Sequence, residues 1–214
     1  MLARILSIAS LLLASKLAAA EPPITAAAFT PDGKAVVVGS QKGLSVYDWP
    51  ELAELRSLTT GLAHVHDLIF SPDGLTLAAV GGQPAEEGRI ELINWPQAKI
   101  MHQQSVGEDL LYRVAWDERS KSLATAGPDH GITLLDGSAM IVRQVEGHSR
   151  DVMSIGFLPD GHFVSGSRDN TIRVWASPSN ELVRTLNNHT NEIHDIAVRL
   201  NSPEPPFVIA SSSA

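Results

Sequence analysis

Histidines and carboxylates carry most of the chemical capacity of this sequence, and the densest group is His64-Val65-His66-Asp67. On a strand, His64 and His66 would share one side, two positions apart. With Asp67 they could offer zinc two imidazole nitrogens and a carboxylate, at ligand distances of about 2.0–2.2 Å. His194-Asp195 repeats part of the pattern much further along. A metal site needs all its ligands to converge, and in a ring of repeats these two groups, three units apart, are expected to lie well apart. The expectation is therefore solvated histidines and no metal, with zinc titration as the check. Glu86-Glu87 are neighbours in a polar stretch. Nothing buries one of them to tune it as a general acid. There is no phosphate-binding glycine loop, no HExxH and no Gly-x-Ser-x-Gly elbow, and Gly166-Ser167 lacks the flanking residues of such an elbow. The sequence has no cysteine. That excludes disulfides, thiolate metal sites, cysteine nucleophiles and covalent haem attachment within it. No catalytic residue and no cofactor is expected.

The elements that would position these residues follow from composition and periodicity. The chain has 214 residues, 43% of them hydrophobic and 19% charged, enough for one globular domain with a core. Its formal net charge is −8. An acidic surface repels phosphate backbones, so no nucleic-acid partner is expected. Met1–Arg4 carries one positive charge, Ile5–Ser15 is apolar, and Ala18-Ala19-Ala20 suits a cleavage site before Glu21. Residues 1–20 read as an export signal cleaved near Ala20, which gives a periplasmic or secreted protein. The apolar run is short of the about 20 residues that a membrane-spanning helix needs. An uncleaved N-terminal membrane anchor is the alternative, and this segment is the only membrane contact expected. Removing it takes away Arg4 and Lys16 and leaves the chain more acidic still.

From residue 21 onward the sequence repeats. Phe29-Thr30-Pro31-Asp32-Gly33 recurs as Phe70-Ser71-Pro72-Asp73-Gly74 and as Phe157-Leu158-Pro159-Asp160-Gly161, with a degenerate copy beginning at Trp116. The aromatics Phe29, Phe70, Trp116 and Phe157 are spaced 41, 46 and 41 residues apart. An insert at Gln83–Gly88 accounts for the longer step. In each unit an alternating strand leads to a Pro-Asp-Gly turn, where proline presets φ and glycine accepts a positive one. Three further short strands follow. Four antiparallel strands in about 40 residues make one propeller blade. The units run approximately over 24–63, 64–109, 110–149, 150–190 and, in part, 191–214. The fold expected is all-β, a partial propeller of about 4.5 four-stranded blades.

The fourth unit resembles the WD40 repeat family. Its signature is Gly147-His148, Val152, Pro159-Asp160-Gly161 and Phe163-Val164-Ser165-Gly166-Ser167-Arg168-Asp169-Asn170-Thr171-Ile172-Arg173-Val174-Trp175. The resemblance implies that His148, Ser165, Asp169 and Trp175 form the family's structural tetrad. A buried carboxylate is costly unless paired, and these groups could satisfy one another in series. Their role is architectural. The other units depart from the pattern. The third keeps Thr125 and Asp129 but has Gly107 near the His position and Leu135 for Trp. The second has Ile93 for Trp. The first has Lys42 near the Asp position and Tyr47 for Trp. Apolar packing should hold the first two units together. In a fifth unit His189 takes the loop position and Ser211 aligns with Ser165, with Asn201–Pro206 as a proline-rich turn between.

Together with the N-terminal signal and the register of the fifth unit, the expectation is an exported, bacterial-type protein that resembles the WD40 family, C-terminally truncated inside a blade. Such an incomplete ring would expose a sheet edge and dissolve poorly alone. It would be a non-catalytic scaffold binding a protein or peptide partner through the propeller rim. The family's rim positions map onto Pro23 and Thr25 in unit one, then His64 and His66, Leu110 and Tyr112, Asp151 and Met153 with Arg168, and Glu192 and His194. Aromatic, Met and Arg residues at an exposed rim suit a binding hot spot. The alternatives are an accessory propeller of a larger exported enzyme or cytochrome, and a propeller holding a small ligand in its channel. The loop insert Gln83–Gly88 could add to a binding face or be a neutral length change.

Overall fold

The structure, a computed structural model, describes residues 22–119, 121–198 and 209–213. The export signal read in residues 1–20 and the turn at 201–206 lie outside them.

Every described element is a strand, and consecutive strands pair antiparallel as meanders. The first sheet holds β1 (Ala26–Phe29), β2 (Ala35–Ser40), β3 (Gly43–Asp48) and β4 (Glu54–Leu58). The second holds β5 (His64–Phe70), β6 (Thr76–Gln83), β7 (Glu87–Asn94) and β8 (Lys99–Ser105). The third holds β9 (Arg113–Trp116), β10 (Leu123–Ala126), β11 (Ile132–Leu135) and β12 (Ile141–Val145). The fourth holds β13 (Val152–Phe157), β14 (Phe163–Ser167), β15 (Ile172–Trp175) and β16 (Leu182–Leu186). A fifth pair joins β17 (Ile193–Val198) to β18 (Ile209–Ser213).

The repeat seen in the sequence is a repeat in register. Phe29, Phe70, Trp116 and Phe157 each end the first strand of their sheet, opposite Val36, Leu77, Leu123 and Phe163. In each of the four complete sheets the outer strand pair slips register at one equivalent point: Val46/Tyr47, Leu92/Ile93, Leu134/Leu135 and Val174/Trp175. The Pro-Asp-Gly turns close as their residues dictate. Ser71 Oγ donates to Asp73 Oδ1 at 2.6 Å, and Gly74, at φ +70°, donates its N–H to Ser71 O at 2.8 Å.

Four apolar cores lie between successive sheets. Val37, Leu44, Val65, Leu77 and Ile93 join the first sheet to the second. Ala78, Val80, Leu92, Val114 and Leu123 join the second to the third. Ala124, Ile132, Val152, Phe163 and Trp175 join the third to the fourth, and Val164, Ile172, Ile193 and Ile196 join the fourth to the fifth. The second strands are almost fully buried because apolar neighbours cover both of their faces, whereas the outer strands are mostly exposed. Backbone bonds cross the junctions too: Leu111 N–H donates to Gly81 O and Val152 N–H to Gly127 O, each at 3.0 Å.

The insert differs from the enlarged turn expected of it. Gln83 pairs with Glu87 and Gly82 with Gly88, so the extra residues lengthen the β6–β7 hairpin. The polar insert can zip because both strands continue in register and the tip is tied down, with Ala85 N–H donating to Asp109 Oδ1 at 3.0 Å.

Candidate functional site

His148 leaves the end of β12 and reaches forward into the fourth sheet. Its Nδ1 lies 2.8 Å from Asp169 Oδ2 and its Nε2 2.7 Å from Ser165 Oγ. Trp175 Nε1–H donates to the same Ser165 Oγ at 2.9 Å. Because the indole can only donate, the hydroxyl proton is left to point at Nε2, which puts the imidazole proton on Nδ1, facing Asp169. The protonation states agree. Burial lowers the His148 pKa against the pull of Asp169, so the ring is neutral at pH 7. Burial tends to raise the Asp169 pKa, but hydrogen bonds from Thr171, His148 and the Ser149 N–H hold it at about 2. A neutral imidazole locked between a carboxylate and a hydroxyl, with both nitrogens engaged, clasps the loop to the sheet. Gly147 allows the approach, since a Cβ there would lie 2.8 Å from the Trp175 ring. Trp175 in turn stacks on Phe163, with ring centroids 6.0 Å apart. In the fifth pair His189 Nε2 lies 2.8 Å from Ser211 Oγ, the residue opposite Ile196 just as Ser165 is opposite Ile155.

One buried polar group escaped the sequence reading. Glu91, in the middle of β7, is fully buried, and its carboxylate accepts from Thr60 Oγ at 2.7 Å and from the Gly61 N–H at 2.8 Å. The second sheet therefore also has a polar clasp on its incoming loop, built from the third strand. A lone glutamate inside Ile90-Glu91-Leu92-Ile93 was the available signal.

The rim residues fall into two groups. His66 meets Tyr112 edge-on, with ring centroids 6.1 Å apart, and His64 stands beside His66 in β5. Burial, then His64 and Arg113, lowers the His66 pKa. The second group is an ion network: Arg168 Nη1 to Asp151 Oδ2 at 2.9 Å, Arg168 Nε to Glu192 Oε2 at 3.5 Å, and Arg150 Nη1 to Glu192 Oε1 at 3.1 Å. Tyr112 feels the charges of both Asp151 and Arg168. Met153 is half-buried and His194 exposed. Leu110 is corrected: it is 8% exposed, because this apolar side chain turns inward.

His66, Met153 and His194 share a feature that strand alternation does not predict. Register shifts between Val65 and Asp67, between Val152 and Ser154, and between Ile193 and Asp195, so each of the three is the extra residue of a β-bulge. A bulge breaks the two-residue alternation and re-aims side chains. The bulge interrupts the simple alternation at His66, yet His64 and His66 both stay half-exposed around the buried Val65, and the charge of His64 reaches His66. Below the bulges lies a charged layer that corrects the expectation of two distant groups: Arg113 stands 3.8 Å from Asp67 Oδ1 and 3.6 Å from Asp195 Oδ1, so the His64–Asp67 and His194–Asp195 segments meet through one guanidinium. Asp67 also caps the next sheet, accepting from Val114 N–H at 3.0 Å, while burial raises its pKa. Among the described residues no group of three or more His, Asp or Glu side chains could hold a metal ion.

With this geometry in view, the comparison with known families decides the nature of the fourth unit. The family described as "WD domain, G-beta repeat" matches residues 140–176, the stretch holding His148, Ser165, Asp169 and Trp175. This segment is a WD40 repeat. The fold around it is that of WD40 β-propeller blades. Pre-mRNA-processing factor 19 of Oryza sativa subsp. japonica is 35% identical over 94 residues, 42% of this chain and 18% of that protein. GID complex subunit 7 of Schizosaccharomyces pombe is 24% identical over 206 residues, 88% of this chain and 38% of that protein. Actin-interacting protein 1-2 of Arabidopsis thaliana is 29% identical over 165 residues, 72% of this chain and 26% of that protein. The chain thus spans well under half the length of these relatives. They are proteins of plants and a yeast, which lends the exported, bacterial-type expectation no support.

Proposed function

We propose that this WD40 protein is a non-catalytic scaffold whose rim, from His64 and His66 through Tyr112, Asp151, Met153 and Arg168 to Glu192 and His194, binds a protein or peptide partner. The observation carrying the reading is the bulge repeated at His66, Met153 and His194, beside Tyr112 and Arg168. Bulges recur where a side chain is re-aimed for use, and Tyr and Arg are the residue types enriched in binding hot spots. The Arg168–Asp151–Glu192 network fixes the guanidinium in one place, which lowers the entropy cost of docking. Names such as actin-interacting protein and complex subunit among the relatives accord with a protein-binding role. The sequence of residues 1–20 supports export. Location in the cell envelope and N-terminal sequencing that begins at Glu21 are the expected results; a mature chain that still begins at Met1 would refute cleavage.

The test of the binding role is capture from an envelope fraction on the immobilised full chain, beside the double variant Tyr112→Ala, Arg168→Ala. A partner retained by the wild type should bind the variant at least ~30-fold more weakly, the effect of removing one hot spot of about 2 kcal/mol. Equal retention by both chains would refute the rim as the binding surface.

A further inference from the structure

The third sheet contains a cavity of about 110 Å³ where the fourth holds the His148 ring. Its lining includes Thr125, Asp129, Thr133, Gln144 and Glu146, with Leu111 among its apolar walls. Two independent counts set Gly107 at the position of His148. Gly107 comes three residues after Gln104, the partner of Ile90, as His148 comes three after Val145, the partner of Ile132. It also comes four residues before Leu111, whose N–H donates to Gly81 O as that of Val152 donates to Gly127 O. Thr125 sits opposite Thr133 as Ser165 sits opposite Arg173, and Asp129 takes the place of Asp169 in a turn of equal length. The third sheet thus retains the carboxylate and the hydroxyl and lacks the ring between them.

The two retained groups show what they would accept. Thr125 is 1% exposed, lines the cavity, and its Oγ1 has no hydrogen-bond partner among the described residues. A buried hydroxyl without a partner costs about 1–3 kcal/mol, so a group that satisfied it would be held. Asp129 is open to solvent, but its carboxylate presses against Gly107; partial burial, then Asp109 and Glu108, raises its pKa. The protein cannot supply the bridging group from Gly107, which sits at φ +75° and would bring a Cβ within 2.1 Å of Asp129 Oδ2. Leu135 stands in the register position of Trp175, and the cavity is far larger than the about 10–15 Å³ that one water needs.

We propose that this cavity binds an imidazole ring supplied from outside the chain, either a small molecule or a histidine side chain of a peptide. One ring nitrogen donates to the Asp129 carboxylate and the other meets the Thr125 hydroxyl, as His148 does between Asp169 and Ser165. The site is separate from the rim proposed above and does not depend on it.

The test is a titration of the full 214-residue chain with imidazole, read at the methyl resonances of the cavity residues Leu111, Ile132 and Thr133. A parallel arm uses acetyl-Gly-His-Gly-amide against acetyl-Gly-Ala-Gly-amide. The expected result is a saturable shift confined to the cavity residues, weakened at least ~10-fold by Thr125→Val and by Asp129→Asn, the scale of one lost hydrogen bond. Saturation by imidazole alone would identify a small-molecule site; saturation by the histidine peptide, but not the alanine peptide, would identify a peptide site. Thr125→Val is nearly isosteric and Asp129 lies in an exposed turn, so both variants should keep the wild-type circular dichroism. No saturable shift up to about 100 mM, beyond the millimolar range of weak specific binding, would overturn the proposal. So would an unchanged affinity in both variants.

Discussion

The third and fourth sheets share their strand order, the length of their inner turn and the slip in their outer pair, yet they are held to their incoming loops in different ways. The fourth uses a continuous run of donors and acceptors from Trp175 through Ser165 and His148 to Asp169. The third has lost the imidazole and the indole, and its Thr125 hydroxyl is left without a partner. Both sheets nevertheless stand in the same stack, because the apolar clusters on their flanks are equally continuous. Sheet-to-sheet burial is therefore what builds the blade, and the polar run is a local clasp added to it. The second sheet supports the same view, since Glu91 clasps its loop with different atoms from a different strand.

The largest effect should come from breaking the complete clasp. His148→Ala leaves Asp169 and Ser165 each short of a partner. It should cost about 3–4 kcal/mol, the range for disrupting a buried polar network, read as a lower urea midpoint. Glu91→Ala should cost less, about 2 kcal/mol, because only the Thr60 and Gly61 contacts are lost and that loop is partly exposed. If both substitutions proved neutral, the clasps would be decorative.

A smaller effect is a pH dependence in which the clasp of the fourth sheet takes part. The folded His148 has a pKa below the ordinary imidazole value of 6.5, so between the two values the unfolded chain binds more protons. Stability should be complete above 6.5 and fall as the pH drops below it, with the Asp169 contribution lost only as the pH falls from 3.8 towards 2. His66, also lowered, adds to the first loss, while Asp67 and Asp129, both raised, act in the opposite sense near the carboxylate range. The clean measurement is the difference in unfolding free energy between wild type and His148→Gln across pH 5–8, which should shrink on acidification.

The architecture was legible because it is written as a period. Each Pro-Asp-Gly turn and each aromatic at a strand end marks the same place in successive sheets, and the four tetrad residues came with a specific motif. Other features were illegible for definite reasons. The bulges at His66, Met153 and His194 depend on where a pairing slips, and no residue type announces that. Leu110 was assigned to the rim by counting positions, but an apolar side chain at such a place turns inward. The Glu91 clasp was hidden because its partners, Thr60 and Gly61, lie in a loop without a motif. The insert gave no sign that it would extend a hairpin, since Pro84 and two glutamates read as turn residues.

Replacing one hydroxyl in each of the two contrasted sheets tests the account most directly. Ser165→Ala removes the shared atom of the clasp and should lower unfolding free energy by about 2–3 kcal/mol, whereas Thr125→Val removes a buried hydroxyl without a partner and should leave stability unchanged or raise it by up to about 1 kcal/mol. Equal losses in the two variants would mean that the sheets are held alike and that the contrast drawn between them is wrong.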